Sequence, residues 1–512
     1  MSTIRLSVSA VALAAAASLA APATAVSTAG TSVAGTSATA TSSAPASTAP
    51  TPLPDLARAV GERGGVWAPS EMTVTRWGRQ KNIWLSPQAR LVAGTTPIEF
   101  RTSRTSYSQP VRTTWHRGEE SGPVNVSQKN LRKLYGLSTI SIRDANGTVL
   151  KERALGSCLA GMTSPARMDA PTTSPYPNSG CPWNPFALGM VHGVQAGWSI
   201  PLWENGLRIE ARTSTLDMTI TLGKAYADAL GIPEADRSAT TRVVVKRRGP
   251  GHREAERTTD AKDPKAPNPE LGPEPTTRAA GAPAGNEPDL RALPVGQVAT
   301  ARQGTLLRFE TGVWNAGPGP LVVDGFREAR TGSMTGYQQF YDANGDNAGH
   351  VRLGGNVFRM SKNGWEWRTN MISGYRLVDR SGRTVDEASR TSLCAANVEI
   401  VDATVPRAIW KPFESPFNTS CETGSAMSVR YSIATGMGDY SYRWSRAEAL
   451  DISKVPQGWY RLEVIANPTG TLMEADKANN TTSRAIWLGP VGPRREVKVA
   501  PVGIVDDKGY RR

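Results

Sequence analysis

The sequence predicts an all-β protein of two tandem antiparallel β-sandwich domains joined by a disordered Pro-rich linker. Apolar and polar residues alternate in Leu307-Arg308-Phe309-Glu310-Thr311-Gly312-Val313 and in Tyr460-Arg461-Leu462-Glu463-Val464, the period of a strand with one buried face. Turn chemistry surrounds such runs: Asn315-Ala316-Gly317-Pro318-Gly319-Pro320 breaks any regular element, and Asn146-Gly147 suits a tight hairpin. Helical signals are few, with one short helix expected over 223–231, and short strands separated by turns pack most naturally as sandwiches.

In chain order, residues 1–25 have the form of a secretory signal. Arg5 precedes an apolar run from Leu6 to Leu19, and Ala23-Thr24-Ala25 offers a small-residue cleavage site. The run is shorter than the ~20 residues of a transmembrane helix, and no other segment is apolar enough to span a bilayer. The expected location is extracellular or cell-wall associated, where disulfides form. Residues 26–55, rich in Ser, Thr, Ala and Pro, lack an apolar period and cannot offset their ordering entropy, so they predict a disordered tether. The first domain is expected over 56–247. A second coreless tract of Pro, Gly and both charges, residues 248–288, predicts the linker. The second domain follows over 289–490, and a basic Pro- and Gly-containing tail, residues 491–512, is expected to lie on the surface or hang free.

Two domains in 512 residues agree with the usual domain size. The formal charge is +14, and Arg5 is the leader's only charge, so its removal leaves a strongly basic chain. Such a chain attracts polyanions without specifying which. The cations are scattered except at Lys246-Arg247-Arg248 and the tail, and no nucleic-acid motif organises them.

The two domains share landmarks in matching order. Ile140-Ser141-Ile142-Arg143-Asp144-Ala145-Asn146-Gly147 precedes Cys158, and Tyr375-Arg376-Leu377-Val378-Asp379-Arg380-Ser381-Gly382 precedes Cys394. Glu234-Ala235-Asp236 closes one repeat and Glu474-Ala475-Asp476 the other. These landmarks predict an internal duplication. Four cysteines allow three connectivities, and two copies of one fold would each keep an internal bridge, Cys158 with Cys181 and Cys394 with Cys421.

The second domain resembles the catalytic domain of the lysyl oxidase family. The resemblance runs from about Leu306 to Leu488 and is carried by LLRFETGVWNAGPGPLVV, YRLVD, Ser-Leu-Cys, GMGDYSYRW and LDISKVPQGWYRLEVIANPTGTLMEADKANNTT. The closing EADKANN stretch is also similar to adhesion-type sandwich domains. The first domain looks like a more diverged copy. The resemblance implies copper-dependent oxidation of primary amines, with three alternate histidines on one strand holding copper and a lysine tyrosylquinone made from a Lys and a Tyr.

The positions that would carry this chemistry hold other residues. The three metal positions fall on Asn363, Trp365 and Trp367, and an indole nitrogen is only a donor. The lysine position falls on Arg390, whose guanidinium stays protonated. The tyrosine position falls on Ser441, flanked by Tyr440 and Tyr442. In the first repeat the same counting gives Gln128, Asn130, Arg132 and Ala154. The four histidines, His116, His192, His252 and His350, have no metal-motif spacing. Asp342, Asn344 and Asp346 begin like a calcium loop, but Asn347 and Leu353 stand where Gly and Glu are needed, so a hairpin turn is expected. Hydrolase, zinc-protease and phosphate-loop motifs do not occur.

The sequence therefore predicts a degenerate lysyl-oxidase-like protein that is catalytically inactive, carries no cofactor and works by binding an extracellular protein or cell-envelope polymer, anionic polymers being among the candidates. Trp365 and Trp367 are expected either in the core or stacking on sugar or peptide groups. Two alternatives stand beside this: an active copper-dependent amine oxidase with a misaligned site, and a binder of anionic polymers through charge alone.

Overall fold

Runs that alternate by two pair into sheets. The computed structural model describes residues 60–77, 81–161, 163–167, 169–202, 206–210, 213–248, 285–327, 334–360, 367–389, 395–419, 426, 428–442 and 449–507, and these form an all-β fold of seven sheets. The named strands pair antiparallel, apart from Ser238–Arg248 beside Glu71–Trp77. The leader, the tether, linker residues 249–284, Asn363, Trp365, Arg390 and the pair Cys394 and Cys421 lie outside the described residues.

Three sheets of the first half have counterparts of the same strand order in the second. Gly65–Trp67, Arg90–Val92, Trp198–Pro201 and Ser164–Pro165 correspond to Leu290–Ala292, Leu306–Asn315, Met437–Ser441 and Glu399–Ile400. Gly189–Val194, Ile98–Ser103, Val111–Arg117 and Glu120–Gln128 correspond to Ser428–Ile433, Leu321–Arg327, Met334–Tyr341 and Asn347–Met360. Val149–Ser157, Leu134–Asp144, Thr215–Leu222 and Ser238–Arg248 correspond to Thr384–Ser389, Ser373–Val378, Gly458–Ala466 and Thr481–Leu488.

The opening hairpins of the last pair of sheets turn alike. Asp144 Oδ1 accepts from Asn146 and Thr148 N–H, both at 2.9 Å, and Asp379 Oδ1 accepts from Ser381 and Arg383 N–H at 2.9 and 3.0 Å. Gly147 and Gly382 take the left-handed conformation each turn needs, with φ of 82° and 85°. The Asp342 turn closes in the same way, as a hairpin.

Each half has its own core. Ile140, Ile142, Phe100 and Met218 belong to one, and Phe309, Leu377, Leu462 and Ile486 to the other. A further cluster joins the halves: Met190 and Val191 pack with Val313, Trp367 and Tyr431, and Phe186 packs with Leu293, Trp314, Val401 and Tyr440. Backbone bonds cross the same seam, from Leu188 N–H to Val401 O at 2.7 Å and from Ala403 N–H to Gly189 O at 3.0 Å. The short helix forms at Lys224–Leu230, buries Tyr226, Ala227 and Leu230, and ends at Gly231 with φ 63°.

The tail corrects an expectation. Val497–Val499 adds a strand to Thr481–Leu488, and Arg495 is buried, donating to the carbonyls of Ile452, Val455 and Gly489. The tail was expected to lie on the surface or hang free. The apolar alternation of Val497 and Val499 and an open sheet edge give it a docking place instead.

Candidate anion-binding cavity

Strand Leu134–Asp144 leaves register with Val149–Ser157 between Leu134 and Ser138, where the paired residues change from Ser157 to Leu155. The extra residues bulge outward around Gly136, whose φ of 67° suits glycine. Gln128 fixes the bulge from beneath. Its Oε1 accepts Tyr135 N–H at 3.0 Å and its Nε2 donates to Tyr226 Oη at 2.7 Å, while Tyr226 donates to Tyr135 O at 2.9 Å. Asn130 Oδ1 accepts Arg132 N–H at 3.0 Å and shapes the turn leading into the strand. Thus two of the first repeat's three counted metal positions, Gln128 and Asn130, hold backbone, and the third, Arg132, reaches a cavity.

That cavity measures about 560 Å³ and is lined by Arg132, Lys133, Tyr135, Arg153, Trp183 and the Cys158–Cys181 disulfide, among others. Its volume lies in the ordinary range for small-molecule sites. Among its described lining residues three are cationic and none is acidic. The Lys133 stem lies across Gly156, where a Cβ would come within 2.9 Å of Lys133 Cδ. Desolvation, then the neighbouring charges of Arg132, Arg153 and Lys129, lower the Lys133 pKa. A group already crowded by like charges gains from an incoming anion. The Arg132 guanidinium sits 4.1 Å from the Trp183 ring centre, and Lys133 Nζ 5.2 Å from that of Tyr135.

The expected bridge Cys158–Cys181 is present, with Cα atoms 5.9 Å apart. It fixes one wall, and Gly180 N–H donates to Ala160 O at 2.8 Å beside it. The other half holds the next turn of chain. Glu399 accepts from Trp183 N–H, from Asn184 N–H at 3.0 Å, from Asn184 Nδ2 at 2.6 Å and from Tyr442 Oη at 2.6 Å. Burial raises the Glu399 pKa, against those hydrogen bonds. Trp183 is therefore presented to the first half's cavity by a buried carboxylate of the second half.

The remaining candidates are structural. Trp367 is 4% exposed, sits in the shared core, and its carbonyl accepts from Tyr431 Oη; it cannot stack on an external ligand. Ser441 is buried opposite Thr311. Tyr440 meets buried Glu310 at 3.2 Å, and burial followed by the Glu310 charge pushes its pKa well up. Ala154 is exposed on its strand. His192 is buried against Thr102 Oγ1 at 3.4 Å and the Cys181 sulfur at 3.8 Å, with its pKa lowered by desolvation to about 3. His116 bonds Thr114 Oγ1 at 2.9 Å and His350 packs edge-on to Tyr337. His252 lies outside the described residues. Among the described residues no group of three or more His, Cys, Asp or Glu could hold a metal ion, and no helix is long and apolar enough to cross a membrane.

Sequence reasoning missed Trp183, Lys133, Arg153, Glu399 and Glu310. The position of Trp183 two residues after a bridged cysteine was the available signal for it. The buried acids gave none. No family model matches the chain, and no curated protein matches it.

Proposed function

We propose that the protein is an exported, catalytically inactive binding module on a duplicated lysyl-oxidase-like scaffold, and that it takes an anionic ligand in the first half's cavity. The observation that carries this is the convergence of Arg132, Lys133 and Arg153 with Tyr135 and Trp183 around one concavity. Cations in a partly dry cleft attract an anion more strongly than the same cations spread over a surface, and aromatic walls supply contact area. The matching sheet orders support the duplication. The lysyl oxidase part rests on sequence motifs, and inactivity on the residues at Asn363, Trp365, Trp367, Arg390 and Ser441.

Binding of the purified protein to dextran sulfate at rising salt tests the reading. Affinity falls with salt, and the double variant K133E/R153E weakens it far more than K477E, a charge change on another part of the surface. Equal weakening by the two variants refutes the site. Hydrogen peroxide released from a primary amine by copper-loaded protein refutes inactivity.

A further inference from the structure

We propose that the anionic ligand is an acidic glycan, a chain of uronic-acid units lying from Trp183 across the cationic cavity to Trp84; this rests on the anion-binding reading above. Trp84 stands on Asn82–Leu85, which pairs with Leu207–Glu210, so that Arg208 is its cross-strand neighbour. It is 68% exposed, the most exposed of the large apolar side chains described. A Cβ on Gly206 would lie 3.2 Å from Trp84 Cε3, and Gly206 also lines the cavity. The Trp84 ring thus lies against a residue of the cavity wall. Trp183, 44% exposed, lines the cavity itself.

One accessible indole in the cationic cavity and a second against Gly206 of its wall match a ligand that carries both a carboxylate and a flat C–H face in each unit. A uronic-acid ring has both. Guanidinium pairs with carboxylate in two parallel hydrogen bonds, and an indole covers the sugar's apolar face. Polyphosphate has no such face, so Trp84 would contribute nothing to holding it. A single-stranded nucleic acid needs a charged groove that tracks many phosphates, whereas the cations here are gathered in one concavity. Trp84 leaves its apolar ring area exposed, and a stacked sugar covers it.

The test uses the full mature chain and calorimetric titration with oligogalacturonate, its methyl ester, tripolyphosphate and oligo-dT. The expected result is binding of oligogalacturonate, loss of binding on esterification, and a drop of about tenfold for each of W84A and W183A, the size of one stacked ring. K133A/R153A should lose more. W84A removes an exposed side chain and should leave the unfolding midpoint unchanged, which separates a binding effect from misfolding. Absence of oligogalacturonate binding overturns the inference, as does binding indifferent to both tryptophans, or tighter binding of tripolyphosphate or oligo-dT. If dextran sulfate binding still depends on Lys133 and Arg153 in those cases, the anion site stands and only the glycan assignment falls. If that dependence is also absent, both fall.

Discussion

Replacing Glu399 by Ala tests the link between the halves. The carboxylate accepts from four donors: Trp183 N–H, two groups of Asn184, and Tyr442 Oη. The bonds from the Trp183 backbone N–H and the Tyr442 hydroxyl are only part-buried, so water can replace the carboxylate there, whereas Asn184 is 2% exposed. Two orphaned donors at roughly 1–3 kcal/mol each give a loss of about 4 kcal/mol. Removing a carboxylate that burial already disfavours returns about 1 kcal/mol, leaving a net loss of about 3 kcal/mol. Urea unfolding measures it, and a loss under about 1 kcal/mol refutes the argument. E399Q adds a check on sign. Because the folded-state pKa of Glu399 is raised above 4.5, the folded state holds its proton more tightly than the unfolded chain, and this contribution to stability is lost as pH rises from about 4.5 through the folded value. The wild-type advantage over E399Q therefore shrinks with rising pH; an advantage that grows contradicts the burial argument.

Other changes follow the same logic. C158S opens a loop of 23 residues and should cost about 3 kcal/mol in urea unfolding, with weaker anion binding because one cavity wall loses its tie. W367A should cost about 3–5 kcal/mol and leave the anion affinity of the folded fraction unchanged, whereas a ligand-stacking tryptophan would show the reverse. His192 titrates near 3 when folded, against 6.5 ordinarily, so its contribution is complete above about pH 6.5 and is lost progressively as pH falls toward 3; H192Q should flatten that part of the stability profile. R495A removes the donor to three buried carbonyls and should hasten proteolysis near the C-terminus.

What could be read from the sequence was local. Period-two runs, the Asn146-Gly147 turn, the 223–231 helix and the Cys158–Cys181 bridge each depend on neighbours or on a repeat visible in one dimension, and each is present. Of the candidate site, the Cys158–Cys181 wall was legible, and Arg132 for a different reason. Its partners come from distant segments: Trp183 is 51 positions from Arg132 in the chain, and Glu399 lies 215 positions from Asn184. No periodicity encodes that meeting. Carboxylates ordinarily face solvent, yet Asp289, Glu310, Asp324, Glu399, Asp439 and Glu463 are buried, several of them against partners from other strands. Arg430, for example, meets Asp324 through two bonds of 2.7 Å.

The burial of those acids also bears on how the surface acts at a distance. Among the described residues six carboxylates and three arginines, Arg104, Arg484 and Arg495, are buried. A buried charge held against a partner of opposite sign contributes little to the field outside. Asp289, Asp324 and Glu463 cancel partly exposed arginines, Arg291, Arg430 and Arg376, so the field outside follows the net charge of +14. An anionic polymer meets this field before it meets any one cavity, and the field sets how fast encounters occur, while Arg132, Lys133 and Arg153 set how long they last. Association rates should therefore fall with salt even in K133A/R153A, and the dissociation rate should be the quantity that this pair of substitutions changes.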